Sequence, residues 1–297
     1  MVHILATVAL GALALSIAPS GSQSPQQPSE GRTRDVYVSV LDSRGNPVTG
    51  LTAADFTVRE DGVAREVLKA GPATDPIAIA LTVDDSQAAN PAIQFLRDGL
   101  SRFVKSLDGK AEIALSTVGE RPTAQVEYTT SAAQLQKGIS RLFSRSGTGA
   151  YLLEAIVELS RGLERRETAK RKAIVVLTIE NGPEFSNLYY QNVLDALRRS
   201  GATLHVLAIG SPASSETDEM RNRNIVIAEG TALTGGRRDQ VLTESGIPDK
   251  LVQLADELAN QYVVSYSRPE TLIPPEKLEI TSSKPGVTVR APKRTGR

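Results

Sequence analysis

Three short apolar runs in the middle of the chain constrain its fold more than any other feature: Ile77–Val83 (IAIALTV), Ala173–Thr178 (AIVVLT) and Thr203–Ile209 (TLHVLAI). Each has the length of a strand and is apolar almost without interruption, the pattern of a strand covered on both faces. Segments with helical periodicity alternate with them. Pro91–Leu107 carries Ile93, Leu96, Leu100, Phe103, Val104 and Leu107 along one stripe. Further helices are expected over Ser131–Phe143, Ala150–Arg165, Tyr189–Ser200 (stopped by Gly201) and Asp249–Asn260, with strands at Glu112–Val118 and Ala124–Tyr128. Strands alternating with helices imply a mostly parallel sheet with right-handed crossovers and helices on both faces. The fold class is therefore α/β, Rossmann-like and doubly wound.

The flanks read differently. Asp35–Asp42 (DVYVSVLD) alternates apolar and polar residues, as a half-buried strand does, and Thr57–Glu60 runs into the hairpin dipeptide Asp61-Gly62 before returning over Arg65–Leu68. Residues 35–72 thus form a small β unit, too small to be independent. The α/β domain is expected over 73–268, closing with strand Gln261–Tyr266. Two last strands, Lys277–Thr281 and Val287–Arg290, lie in 269–291 and either extend the main sheet or join the first β unit. Residues 292–297 are a basic tail. At the other end, Ile4–Ala18 is apolar but shorter than the ~20 residues a bilayer-spanning helix needs, and small residues follow it. Residues 1–22 read as a signal peptide and 23–34 as a flexible Pro/Gln/Ser-rich leader. The chain is expected to be exported, to periplasm, cell surface or medium, with no membrane span in the mature part.

Composition narrows the function. With 34 basic and 34 acidic side chains, the chain is no general binder of nucleic acid or anionic membrane. The basic run Arg161–Lys172 is interrupted by Glu164 and Glu167, has no interleaved aromatic, and reads as a solvated helix end. The absence of Cys removes thiolate nucleophiles and thiolate metal sites. His205, the one histidine outside the signal segment, sits inside an apolar strand, so Ser-His-Asp catalysis and His-rich zinc sites find no support.

Chemistry concentrates where strand Ile77–Val83 ends in Asp84-Asp85-Ser86. Ligands of open α/β sheets sit at that edge, and crowded carboxylate and hydroxyl oxygens suit a hard cation. The same triplet also reads as a helix cap. Phe185, Tyr189 and Tyr190 form the most aromatic spot of a chain with 4% aromatics. They are either binding anchors or packing beneath a helix.

Several segments in order resemble one family: Val36–Gly62 (VYVSVLDSRGNPVTGLTAADFTVREDG), the Asp84 loop, Leu233–Arg237 (LTGGR), Gln261–Tyr266 (QYVVSY) and Lys284–Arg290 (KPGVTVR). Together they are similar to bacterial, often acidobacterial, von Willebrand factor type A-related proteins. The resemblance implies a metal-ion-dependent adhesion site on three loops, whose cation accepts a carboxylate from a protein partner. Carried over, Asp84 and Ser86 match the first carboxylate and hydroxyl, while Ala88 stands where a second hydroxyl belongs. Thr148 of Ser146-Gly147-Thr148 matches the hydroxyl ligand of the second loop. In the third loop Ile179 falls where the family has Asp, and a shift brings Glu180 or Asn181 into play. The expected ligand set is Asp84, Ser86, Thr148 and Glu180, with Mg²⁺ or Mn²⁺ held weakly or, the favoured outcome, not at all. Asp85, Phe185, Tyr189 and Tyr190 are the expected partner contacts. The resulting reading is a non-catalytic module that binds a protein or peptide. Its alternatives are a Mg²⁺/Mn²⁺-dependent adhesion module and, from another class, a carboxylate-based hydrolase using Asp84, Asp85 and Glu180, which would need a deep pocket.

Overall fold

A computed structural model describes residues 32–212, 217–269 and 273–293. The segments read as signal peptide and leader, up to residue 31, and the tail from residue 294 lie outside these. In chain order the elements are β1 (Arg32–Leu41), β2 (Phe56–Glu60), β3 (Val63–Arg65), β4 (Val67–Pro72), β5 (Ile77–Val83), α1 (Ile93–Ser106), β6 (Ala111–Thr117), β7 (Thr123–Thr129), α2 (Ala132–Ser140) and α3 (Leu152–Glu164). Then come β8 (Arg171–Ile179), α4 (Tyr190–Ser200), β9 (Thr203–Ile209), α5 (Asp218–Ile225), α6 (Thr231–Thr234), β10 (Arg238–Val241), α7 (Ile247–Ala259), β11 (Tyr262–Arg268), β12 (Leu278–Ser282) and β13 (Thr288–Arg290). A π turn over Val226–Gly230 joins α5 to α6.

The main sheet runs β10-β9-β8-β5-β6-β7, parallel throughout except for β7, which is antiparallel to β6. Every residue of β5 is buried, as its sequence demands of a central strand. Ile77, Ile79, Leu81 and Val83 pack with α1, α2 and α7 on one face; Ala78 and Ala80 pack with α3, α4 and the π turn on the other. β10 (RDQV) was not foreseen, because an edge strand this polar carries no apolar signature.

Outside this sheet the strands sort differently from expectation. β11, assigned from sequence to the α/β domain, lies between β1 and β4 in a four-stranded sheet, β13-β1-β11-β4. Its burial alternates residue by residue, the period of a strand covered on one face. β12 pairs with β2 in a second sheet, β12-β2-β3, and the two sheets share one core of Val36, Val38, Phe56, Val58, Tyr262, Val264 and Tyr266 among others. The C-terminal strands therefore complete the N-terminal β unit, which explains how so short a unit acquires a core. Arg32–Arg34, read as leader, are already part of β1.

Leu233–Arg237 forms the seam between the two units. Gly235 has φ +74°, and a Cβ there would come within 2.3 Å of the Ala291 carbonyl carbon. On Gly236 a Cβ would lie 1.7 Å from the Leu204 oxygen. Buried Arg237 donates to Glu257 Oε2 (3.2 Å) and Gln253 Oε1, while Gln253 Nε2 donates to the Arg44 carbonyl of the β unit (2.9 Å). His205 is buried near Glu257, and desolvation pushes its pKa down to about 4, so it is a neutral core residue. The basic run was misjudged at its end. Arg171 is buried, donating to the carbonyls of Asp75 (2.8 Å) and Leu258 and to Gln261 Oε1 (2.8 Å).

Gly236→Ala is expected to lose more than ~3 kcal/mol or to fail to fold, because backbone and not a flexible side chain blocks the new methyl. Gly162→Ala, in α3 with nothing within 4 Å of its Cβ position, is expected to gain about 0.5 kcal/mol. Urea unfolding of the pair checks the contrast.

Candidate functional site

β5 and β8 are neighbours at the centre of the sheet, with β6 beyond one and β9 beyond the other. The chain thus leaves the C-terminal ends of β5 and β8 in opposite directions, which opens a crevice at that edge. Three loops border it: Asp84–Ser86 after β5, Ser144–Gly149 after α2, and Glu180–Tyr189 after β8.

Asp84 is 1% exposed. Its Oδ1 accepts the Ser86 N–H (2.9 Å) and its Oδ2 the Ile179 N–H (3.2 Å), so one oxygen serves the first loop and the other the last residue of β8. Burial pushes its carboxyl above the usual range, opposed by the Ser86 side chain, by these two backbone hydrogen bonds and by the charge of Arg223. Ser86 Oγ is buried beside the Asp84 carboxylate. Ala88 meets the third loop: a Cβ on Gly182 would lie 3.1 Å from the Ala88 methyl. Apolar contact thus fills the place where the resemblance puts a second hydroxyl.

Asp85, expected as a partner contact, is instead internal. It is 3% exposed, its Oδ1 accepts the Gly119 N–H (2.6 Å) and its Oδ2 pairs with Arg145 Nε (2.9 Å). A carboxylate without these partners would be costly to bury, which is why it turns inward. The second loop is fastened to the first by the Asp85–Arg145 ion pair and by the Arg145 N–H to the Asp85 carbonyl (2.8 Å), and to the turn that follows by Gly147 N–H to Gln87 Oε1 (2.7 Å) and Ser144 Oγ to Asn90 Oδ1 (2.9 Å). Thr148 Oγ1 donates within its own loop, to the Arg145 carbonyl (2.9 Å).

Glu180 is 3% exposed, with Oε2 3.4 Å from Arg223 Nη1 and Oε1 4.0 Å from Arg238 Nη2. Arg223, 2% exposed, also donates from Nη2 to Thr178 Oγ1 (3.1 Å) and the Ile179 carbonyl (3.4 Å), and its Nε lies 3.8 Å from Glu184 Oε2. Glu184 and Ser186 cap the start of α3. Glu184 Oε1 accepts the Leu152 N–H (3.2 Å) and Ser186 Oγ the Leu153 N–H (2.9 Å). Desolvation nonetheless pushes the Glu184 pKa up to about 7. Sequence reading missed Arg223, Glu184 and Ser186. The two caps act on a helix more than 30 residues earlier, and Arg223 differs in no local respect from its exposed neighbour Arg221.

Several of the expected ligand oxygens are already engaged inside the protein. Both Asp84 oxygens are engaged by backbone donors, and Glu180 faces guanidinium groups. Among the described residues no group of three or more His, Cys, Asp or Glu could hold a metal.

Around this interior, aromatic side chains reach solvent. Phe185 (49% exposed) stands edge-on to Tyr151, ring centroids 6.0 Å apart, and Tyr189 (54% exposed) leans on Tyr190 at 4.6 Å. Tyr190 is half-buried against the α3–α4 core, so of the aromatic trio it is the packing member. Phe143 (59% exposed), not singled out from sequence, sits beside the second loop with Arg145 5.6 Å from its ring centroid.

A family model for the von Willebrand factor type A domain matches residues 78–232, from β5 to α6. Comparison with curated proteins finds no match. Among solved structures, the chain is similar to a pilus adhesin of Lactobacillus rhamnosus GG in an open conformation (12% identity, TM-score 0.50, covering 86% of this chain and 48% of that one). It is also similar to a von Willebrand factor type A protein of Catenulispora acidiphila (10%, 0.48, 90% and 73%) and to the corresponding domain of a type V pilus tip protein of Porphyromonas gingivalis (12%, 0.47, 62% and 95%). At these identities the likeness is one of fold.

Glu184 generates a pH prediction. Its folded pKa of about 7 stands above the 4.5 of the unfolded chain, so its contribution is complete below about pH 4.5 and is lost as pH rises through 7. Glu184→Gln keeps an oxygen for Leu152 and Ser186 but has no charge to bury. Relative to wild type, its unfolding free energy is expected to climb by up to ~3 kcal/mol across that window and level off above it. A constant difference across urea titrations would show that the carboxyl is ionised in the fold.

Proposed function

The chain belongs to the von Willebrand factor type A domain family, and from that premise we propose that it is an exported, non-catalytic module that binds a protein or peptide through the loops at the C-terminal edge of its main sheet, with little or no dependence on a metal. The observation that carries this reading is the contrast at that edge between charge and aromatic surface. Asp84, Asp85, Glu180 and Glu184 are all buried and engaged inside the protein, while Phe143, Phe185 and Tyr189 are about half exposed around them. Exposed aromatic side chains on loops held by many hydrogen bonds are what a binding surface offers. Carboxylates committed to backbone N–H groups and guanidinium groups are not free to activate water, which speaks against the hydrolase alternative. A cavity of about 1040 Å³ lies at the opposite edge, where the strands β5, β8 and β9 begin. Export rests on the apolar segment Ile4–Ala18, and no helix among the described residues is long and apolar enough to cross a membrane. The adhesin from L. rhamnosus that shares the fold is in keeping with a binding role.

Peptides selected from a displayed random library on the full chain test this reading. Their affinity is expected to fall at least ~10-fold for the Phe185→Ala/Tyr189→Ala variant, with its melting profile still cooperative. Selected peptides that bind wild type and variant equally would place recognition elsewhere and sink the proposal.

A further inference from the structure

We infer that the Arg223 guanidinium is the fixed counter-cation of this edge, supplying the positive charge for its buried carboxylates that an exchangeable divalent ion would otherwise supply. Position is the first argument. From α5, Arg223 reaches Thr178 Oγ1 and the Ile179 carbonyl, the last two residues of β8, where the third loop begins. Ile179 is thereby held from two sides: its carbonyl accepts from Arg223 and its N–H donates to Asp84. The guanidinium, Ile179 and the Asp84 carboxylate form one connected arrangement across the crevice.

The second argument is charge. Glu180, at most 4% exposed along its side chain, and Glu184, at 1%, both lie within 4 Å of the Arg223 guanidinium, which is itself 3% exposed. Arg238 reaches only Glu180, from a side chain that is 43% exposed. Arg223 is the cation shared by both glutamates, and the geometry of its planar fork suits acceptors spread around it in a way that a compact ammonium does not. A metal ion would compete for the same oxygen lone pairs. The third argument is local. The helix carrying Arg223 widens into a π turn directly after Ile225, an irregularity that recurs at functional sites.

This role of Arg223 is independent of whether a partner binds the loops, and the experiment separates the two. Calorimetric titration of the full chain with Mg²⁺ and Mn²⁺ is expected to show no uptake, and its melting temperature to be the same in millimolar Mg²⁺ as in EDTA. Arg223→Met is expected to melt roughly 10 °C lower, as breaking a buried ion pair does, and Arg223→Lys to recover part of that loss. Adding Glu180→Gln and Glu184→Gln to Arg223→Met is expected to restore most of the melting temperature, a compensation that a purely space-filling role for Arg223 would not produce. Should Arg223→Met not fold, recovery of folding in the triple variant gives the same answer. Cation uptake by the wild type at millimolar affinity or tighter would overturn the inference while leaving the loop face a binding surface, now ion-dependent. Failure of the triple variant to recover would overturn it as well.

Discussion

A carboxylate taken from water into a protein interior loses several kcal/mol of solvation unless hydrogen bonds or opposite charge replace it. Four carboxylates, Asp84, Asp85, Glu180 and Glu184, are buried at the C-terminal edge of the main sheet, and the loops are arranged by the need to satisfy them. Asp84 draws in backbone N–H groups from the first loop and the end of β8, and Asp85 draws in Arg145 and the Gly119 N–H. Glu180 faces Arg223, and Glu184 caps the start of α3, whose N–H groups only partly offset the cost of burying it. Each solution fastens one loop to another element, so satisfying charge also sets the shape of the face.

The same economy governs the seam between the two units. A β unit built only from the N-terminal segment would lack a partner for either side of β1. The chain supplies β11 and β13 on its flanks from more than 200 residues later. That long return is held in register where Gly235 and Gly236 let backbones touch and where Arg237, Gln253 and Arg44 bridge α7 to the first turn of the β unit. The loops around Asp84 lie at the C-terminal edge of the main sheet, whereas the seam meets β9 near its first residues.

How far the residues alone disclose this depends on the distance over which each acts. β5 and β9 are evident because a strand buried on both faces is apolar at nearly every position, and Asp84 is conspicuous because a charge follows such a strand at once. β11 carried its assignment in plain view, since YVVSYS alternates where β8 does not, but the alternation becomes decisive only when β1 is known to lie beside it. Arg223 was illegible. In DEMRNRN both arginines share the same kind of neighbours, yet Arg221 pairs with Asp218 at the surface and Arg223 turns to residues more than 40 positions earlier. The seam glycines were visible as a motif, but the reason for them, backbone contact with Leu204 and Ala291, is purely tertiary.

A fixed guanidinium and an exchangeable ion have different consequences for recognition. A bound divalent cation keeps water in its shell and can trade it for a partner's carboxylate. Arg223, 2% exposed and already engaged by Thr178, Ile179, Glu180 and Glu184, has no position left to offer. On the proposed reading, the free energy of binding must then come from what projects beyond the buried charges. Aromatic side chains can each bury some 150–250 Å² and lose little conformational entropy in doing so. Loops already tied together at Asp85, Gln87 and Asn90 pay little further ordering cost when a partner arrives. A surface of this kind is set once, when the chain folds, and its affinity follows the fit of Phe143, Phe185 and Tyr189 to the partner rather than the supply of an ion.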